Sequence, residues 1–528
     1  MGLDNSLKKK IIEIRDYLYG GGFPDPLSNS EQLSYLFFLS MIEGVDKKFS
    51  LRDKKYKSIF LGKTKANNLK NSNNKEFIEN EKFKWSIWSN SLSGDNLLSF
   101  VNDEVFPFYS DVEIIGKTKL MDEARLSINE PVVLKQVVSL ITSINLDNYD
   151  TDTKGDIFEY ILSQIKQAGE LGQFRTPRNI IDFIINIVKP KIGEKIYDPA
   201  IGTAGFIVSS FNFIKFINSS KNSITNEKID NRKISRGIGD KLNKKEFEVL
   251  LNDTFYGHDV DPKMVKLSKM NLILRGMEKV NIIKENTITE NMTQEYMKSI
   301  NFPYKFDLVL ANPPFSGTID KNRIIDEVKV GSTSSTQVLF LKRILLSLNT
   351  NGRCCVVVPE GILYSSSKSY KILREEIFKN YRIEAVFSFP NRIFNPYSGV
   401  KTSAIYITRK KPEDNVLFIR VNNDGYKLDK NHSDPIDDND LPEAEDLFFK
   451  KKDLLNEWKN ADLNSWNKNW CFANKEDIIE QNFNLSISRY YPFILKKTDQ
   501  ISTKKVLKNI KKNSSKFNQE LITYDHEI

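Results

Sequence analysis

Residues 306–315 read Phe-Asp-Leu-Val-Leu-Ala-Asn-Pro-Pro-Phe, an apolar run of the kind buried within a sheet, followed at once by an Asn-Pro-Pro-Phe turn. In an open α/β sheet, ligands gather at the carboxyl ends of the strands, which is where this turn falls. Asn312 offers a side-chain carbonyl. Pro313 has no backbone N–H and fixes its own φ, so the Asn312 and Pro313 carbonyls can converge on one donor, for which an amino group is the natural guest. Pro314 completes the turn, and Phe315 adds an aromatic face on which a planar base drawn out of a duplex can stack. The competing reading is ordinary turn punctuation, in which Asn-Pro ends a strand and Pro-Phe fills a core.

A second motif upstream favours the pocket. Residues 196–206, Ile-Tyr-Asp-Pro-Ala-Ile-Gly-Thr-Ala-Gly-Phe, form a strand with Asp198 at its tip, then a loop in which Gly202 and Gly205 let backbone approach a ligand, then a helix through Phe206–Phe216. The spacing is neither G-x-G-x-x-G nor the Walker pattern, and no Lys-Ser/Thr follows the glycines, which argues against a phosphate cradle. Asp198 would repel phosphate and suits a cationic or hydroxyl-bearing ligand, such as the amino-acid end of S-adenosylmethionine. Thr254–Asp261, Thr-Phe-Tyr-Gly-His-Asp-Val-Asp, is a next strand ending in acid, where ribose hydroxyls are gripped in doubly wound folds. Asp259 is the first choice for that role and Asp261 the second.

The order Gly-Gln-Phe-Arg-Thr-Pro (172–177), Asp-Pro-Ala-Ile-Gly-Thr-Ala-Gly-Phe (198–206), Gly-His-Asp (257–259) and Asn-Pro-Pro-Phe (312–315) resembles the amino-methylating DNA methyltransferases. More narrowly, it is similar to the modification subunits of type I restriction–modification systems over about residues 1–410. The resemblance implies an S-adenosylmethionine site built from Gly172, Gln173, Phe174, Arg175, Thr176 and Pro177 together with Ala200, Gly202, Thr203, Ala204 and Gly205. It sets Asp198 near the methionine moiety and Asp259 on the ribose, and it gives the target adenine to Asn312, Pro313, Pro314 and Phe315. Some positions depart from the usual pattern: Ile201 stands where many members have a small residue or Cys, Ala204 where many have Gly, and Arg175 where many have an aromatic. Asn286, in Lys284-Glu285-Asn286-Thr287-Ile288, takes the place of an Asp that would meet the cofactor's adenine.

The chain of 528 residues is long enough for two or three domains, and its 40% hydrophobic and 28% charged residues describe a globular rather than a disordered protein. Its net charge of +9, from 78 basic against 69 acidic side chains, favours polyanions without demanding them. Of three cysteines, Cys354 and Cys355 are neighbours in an apolar run and Cys471 is remote, so they read as packing residues rather than disulfides or metal ligands. No charged-then-apolar leader opens the chain, and the apolar stretch Ile180–Val188 is far shorter than the roughly 20 residues that cross a bilayer. The expectation is a cytoplasmic protein with no membrane partner.

Three zones follow. Residues 1–150 read as a helical domain: Leu33, Leu36, Phe37 and Met41 recur at helical spacing until Gly44, and Pro131 starts a helix carrying Val133, Val137, Leu140 and Ile141. Residues 151–411 read as the catalytic domain, opened by a helix from Lys154 with Ile157, Phe158, Ile161, Leu162 and Ile165 on one stripe. Strands are expected near Lys195–Asp198, Thr254–His258, Asn281–Lys284, Phe306–Ala311, Arg353–Val358, Ala385–Phe389 and Thr402–Thr408, a seven-stranded, Rossmann-like, doubly wound sheet. Gly317–Thr336 reads as a mobile flap, Ser219–Lys244 as an inserted surface loop, and Phe389–Pro396 either lines the DNA side or turns the chain. Residues 412–528 read as a helical and irregular extension, with a helix over Ala444–Lys459, aromatic-bearing loops around Trp466, Trp470 and Phe472, and a basic tail at Lys504–Lys516. The segment Asn484–Tyr490 is similar to one that closes the family's domain.

The reaction this implies is direct methyl transfer from S-adenosylmethionine to the exocyclic amine of adenine in duplex DNA. Cytosine's exocyclic amine, RNA or protein as acceptor, and a non-catalytic assembly scaffold are the alternatives. The last ~115 residues suit docking a partner better than reading a DNA site. The resemblance implies two such subunits on one specificity subunit, with a restriction subunit joining them.

Overall fold

All seven expected strands form, and two more join them. In chain order the sheet contains β1 (Ile196–Asp198), β2 (Phe255–Asp259), β3 (Asn281–Lys284), β4 (Phe306–Ala311), β5 (Leu348–Pro359), β6 (Arg382–Ser388), β7 (Thr402–Thr408), β8 (Asn415–Arg420) and β9 (Trp470–Asn474). Their spatial order is β3-β2-β1-β4-β5-β7-β6-β8-β9. Neighbours from β3 through β5 are parallel, β7 runs antiparallel between β5 and β6, and β9 is an antiparallel edge. The sheet therefore continues past residue 411, because β8 pairs in parallel with β6 through Ala385 opposite Leu417. This computed structural model describes residues 5–68, 75–114, 118–146, 149–164, 176–229, 232–492, 511, 513 and 514.

Period-two alternation explains why β4 and β5 sit centrally. Leu308, Leu310, Cys355 and Val357 face one core, while Val309, Ala311, Cys354 and Val356 face the other. The adjacent cysteines thus lie on opposite faces of the sheet, both fully buried. The first core takes α1 (Asn5–Gly20), α2 (Pro26–Arg52), α3 (Pro131–Ser143), α4 (Thr151–Gln164), α5 (Arg178–Val188), α6 (Gly205–Ile217) and α7 (Pro262–Leu274). The second takes α8 (Thr336–Leu346) and α9 (Lys368–Asn380), so helices cover both faces and the sheet is doubly wound. Among the described residues, no helix is long and apolar enough to cross a membrane.

Several local expectations are corrected. Helix α2 does not stop at Gly44 but runs to Arg52, because Val45 and Phe49 continue its buried stripe and a single helical glycine costs only about 1 kcal/mol. The helix expected over 444–459 is two, Leu441–Phe449 and Lys451–Lys459. Residues 317–336 are not a loose flap: Ile324 and Val328 pack with Ile288 and Leu339 in a small core, and the Ile319 N–H donates to the Ser334 carbonyl at 2.9 Å. Within 219–244 the insertion is a hairpin, Thr225–Ile229 with Arg232–Arg236. The segment after β9 returns to the short helix Gly361–Tyr364 that follows β5, where the Leu485 N–H donates to the Leu363 carbonyl at 2.8 Å. Ile165 and the tail 504–516, except 511, 513 and 514, lie outside the described residues.

Candidate active site

Strand order reverses between β1 and β4, which pair through Ile196 with Leu308 and Tyr197 with Val309. Loops leaving the carboxyl ends of these two strands diverge and leave a crevice between them. The loop after β1 carries Asp198 to Gly205, and the loop after β4 carries Asn312 to Phe315. Two segments far apart in sequence thus border one crevice.

On the β1 side, Asp198 is 2% exposed, and its Oδ1 accepts from the Ala200 N–H at 3.0 Å. The Ile201 N–H donates to the His258 carbonyl at 2.9 Å, stitching the loop to β2. Gly202 adopts φ +51°, and a Cβ there would meet nothing within 4 Å, so open space lies above this backbone. Ala204 also has a left-handed backbone, φ 67°, and is the residue from which α6 starts. From α7, the Asn271 side chain donates to the Thr203 carbonyl at 2.9 Å. Gly205 packs closely on α5, where a Cβ would lie 2.9 Å from Ile181 Cδ1 and would make that side chain shift.

Geometry separates the two acids of β2. Asp261 caps α7, accepting from the Lys263 N–H at 2.8 Å, while Asp259 turns to the glycine loop and accepts from the Gly202 N–H at 2.9 Å. Burial pushes the Asp198 carboxyl up to about 8, the negative Asp259 adding to it against the Ala200 N–H. Asp259 is raised as well, by burial first, offset by the N–H groups of Asp261 and Gly202. Among the described residues neither carboxylate is ion-paired, and two such groups beside an open glycine loop are complementary to a cation-bearing ligand with hydroxyls. The donor set therefore fits the amino-acid and ribose parts of S-adenosylmethionine.

Between Asp259 and Asp261 stands Val260, 60% exposed at the strand tip. An apolar side chain held out beside two acids offers a face for the ring of a nucleoside. In the sequence this residue is marked only as an apolar side chain between two strand-end acids. Asn286 follows β3, half-buried, and its Oδ1 accepts from the Ile288 N–H at 3.1 Å. The Glu285 N–H donates to the Asp259 carbonyl at 3.0 Å, so Asn286 lies on the same carboxyl edge of the sheet as the two acids. Thr176 is buried, and the Pro177 carbonyl accepts from Ile180 and Ile181 at the start of α5. Gly172, Gln173, Phe174 and Arg175 lie outside the described residues.

On the β4 side Asn312 is half-buried, Pro313 buried and Pro314 exposed. Phe315 differs from the expectation of an open stacking face. Its ring is only 4% exposed and packs edge-to-face on Phe394, with centroids 5.0 Å apart. Phe394, itself fully buried, comes from the 389–396 segment, which therefore packs against the turn. The Gln337 side chain donates to the Phe315 carbonyl from the first turn of α8. Gln337 carried no signal in the sequence, and Phe394 stood only within the 389–396 segment; both reach the turn through tertiary contacts.

The family pattern described as N-6 DNA methylase matches residues 149–499, spanning every one of these loops. The chain belongs to the N-6 DNA methylase family. The pattern of the HsdM N-terminal domain matches residues 7–141 of this methylase. Among curated relatives, the type I restriction enzyme EcoEI methylase subunit of Escherichia coli is 27% identical over 492 residues, covering 87% of this chain and 85% of that one. The StySPI methylase subunit of Salmonella potsdam is 28% identical over 330 residues, 60% of this chain and 57% of its own length. Among solved structures, a chain of a type I R-M system aligns with TM-score 0.68 at 21% identity over 99% of this methylase and 98% of that chain. A type I modification subunit from Vibrio vulnificus gives TM-score 0.63 at 20% identity, covering 89% and 93%. Both likenesses bear on the fold, and they match its α/β sheet with an N-terminal helical region. Nitrogen 6 is adenine's exocyclic amine, whereas cytosine carries its own at position 4, so the family makes this methylase an adenine DNA methyltransferase.

The buried Asp198 gives a pH-dependent signature. A carboxyl raised in the folded state stays protonated where the unfolded chain has already ionised, so folding takes up a proton and stability falls as pH rises. The window runs from about 4, the ordinary carboxylate range, to about 8. Thermal melts of the ligand-free methylase across that window should show the slope, and Asp198→Asn should flatten it; an unchanged slope in the variant would remove Asp198 as its source.

Proposed function

We propose that this chain is the modification subunit of a type I restriction–modification complex, transferring a methyl group from S-adenosylmethionine to adenine N6 in duplex DNA at sites chosen by a partner. The observation that carries the reading is the meeting of two unlike chemistries at one switch point. Buried Asp198 and half-buried Asp259, with no ion pair among the described residues, stand at the ends of β1 and β2, and the Asn312–Phe315 turn stands at the end of β4.

S-adenosylmethionine, when bound, supplies an electrophilic methyl on a sulfonium. Asp198 holds its cationic methionine end and Asp259 its ribose, with Ala200 and Gly202 to Gly205 giving the close backbone surface, Val260 and Asn286 flanking the adenine, and Gly172 to Pro177 completing the site. The target's amine is a weak nucleophile because its lone pair is delocalised into the ring. Accepting its two hydrogens at the Asn312 and Pro313 carbonyls favours a more tetrahedral nitrogen with its lone pair directed at the methyl, so no strong base is needed. Pro314 fixes the turn, and the buried Phe315, packed on Phe394, backs it from behind where the extruded base is held.

The helical zone 1–150, the catalytic zone from 151 and the extension after 411 divide this labour, with β8 and β9 fastening the extension to the sheet. The extension offers a docking surface for a specificity subunit, two modification subunits serving each one, and a restriction subunit joins for cleavage. The test is to purify the chain with its co-expressed companions, supply S-adenosylmethionine labelled in the methyl group and duplex DNA, and digest to nucleosides for mass analysis. Labelled N6-methyladenine is expected. Label on cytosine or RNA, or site-specific labelling by the lone chain, would overturn the acceptor or the partner half of the proposal respectively.

A further inference from the structure

The catalytic turn has an unusual mechanical problem. Pro313 and Pro314 remove two consecutive backbone N–H groups, so the Pro313 peptide, which must aim its carbonyl at the target amine, cannot be pinned through an amide of its own. Something outside the turn has to fix its direction. Immediately downstream, the chain is clamped to the start of α8. The Thr336 N–H donates to the Gly317 carbonyl at 3.2 Å, the Thr336 hydroxyl donates to the Ser316 carbonyl at 3.1 Å, and Thr318 bridges Ser335. Gln337 reaches one residue further back, into the turn itself, where its Nε2 donates to the Phe315 carbonyl. Its other end is held too: Gln337 Oε1 accepts from the Tyr370 hydroxyl at 3.4 Å, and that hydroxyl lies 3.0 Å from Ser335 Oγ. Tyr370 belongs to α9, on the far side of β5 in sequence, and both side chains are half-buried.

We propose that Gln337 is a positioning residue for the target adenine, with Tyr370 acting only through it. Gln337 fixes the Phe315 peptide and, through the rigid Pro313-Pro314 pair, sets where the Asn312 and Pro313 carbonyls point. The inference rests on the reading of Asn312–Phe315 as the amine-binding turn. A planar amide suits this place because one side-chain group must donate to the turn and accept from Tyr370 at once. The Thr336 and Ile319 bonds already secure the downstream segment, so fold stability does not need the Gln337 bond, but aim does.

The test uses the full-length chain in the complex that methylates DNA. Gln337→Met preserves length and removes both polar ends, and about a tenfold fall in single-turnover rate is expected, the size of one ordinary hydrogen bond. S-adenosylmethionine affinity and melting temperature should stay unchanged. Tyr370→Phe should show a smaller fall, and the double variant should be no slower than Gln337→Met alone, a non-additivity that a merely structural role would not produce. Additive losses, or a wild-type rate in Gln337→Met, overturn the proposal; should that variant not fold, Tyr370→Phe at full rate overturns it too. Asn312→Ala is measured beside them: if it is also fully active, the reading of the turn has failed, whereas if it is inactive and Gln337→Met is not, only the positioning role has.

Discussion

Asn312→Ala should lower the rate of methyl transfer about 10²–10³-fold, the range found when one preorganised polar group facing a developing charge is deleted. As the amine attacks it becomes cationic, and an acceptor held against its hydrogens is worth more in the transition state than in the ground state. Asn312 is half-buried and leaves β4 directly, so its backbone is anchored by a deeply buried strand. Its loss removes one of two converging acceptors while the Pro313 carbonyl remains, so residual activity should stay measurable. Cofactor affinity should stay near wild type, because Asp198 and Asp259 stand on β1 and β2. Calorimetry with S-adenosylmethionine and single-turnover labelling of duplex DNA separate the two effects; a variant that loses both together would place Asn312 in the fold rather than in the reaction.

How much of this was legible beforehand depended on where each signal resides. The central strands β4 and β7 are buried on both faces and stand in the sequence as apolar runs, the edge strand β3 as a short pair of isoleucines, and their observed limits, 306–311, 402–408 and 281–284, coincide with the expected ones. The carboxyl-end acids and the Asn-Pro-Pro-Phe turn are local patterns, and local patterns survive translation into three dimensions. By contrast, β8 sits between a Lys-rich exit from β7 and an acidic loop, and β9 is five residues of aromatic-rich chain that read as a loop. Both are ordered only by pairing with strands distant in sequence. Phe315 failed as an open face for a related reason. Nothing near residue 315 announces that Phe394 will be set against it, and a turn with an aromatic at its end reads the same whether the ring faces solvent or a core. The segment 317–336 is polar enough to pass for a mobile loop, yet two apolar residues, Ile324 and Val328, suffice to seat it.

Arg275→Met should cost about 3–5 kcal/mol of stability, because removing one partner of a buried ion pair leaves its carboxylates uncompensated. Helix α4 carries Asp152, Asp156 and Glu159 along one side, and four cations from four other elements close on them. Lys215 on α6 meets Asp152 at 2.9 Å, Arg236 of the inserted hairpin meets Asp156 at 2.6 Å, and Arg178 on α5 meets Glu159 at 2.7 Å. Arg275, just past α7, has no exposed side-chain surface and bridges Asp156 at 3.2 Å and Glu159 at 3.1 Å. Gly155 allows this closeness, since a Cβ there would fall 2.8 Å from the Arg275 side chain. Methionine fills much of the volume without the charge, and Arg236 and Arg178 still face the two acids, which places the expected loss toward the lower end. The consequence extends to the candidate site: α7 follows the Asp259 strand, so loosening its junction with α4 should weaken S-adenosylmethionine binding in proportion to stability. Chemical denaturation read beside cofactor calorimetry tests both, and a variant as stable as wild type would show that the neighbouring arginines alone neutralise the acidic side of α4.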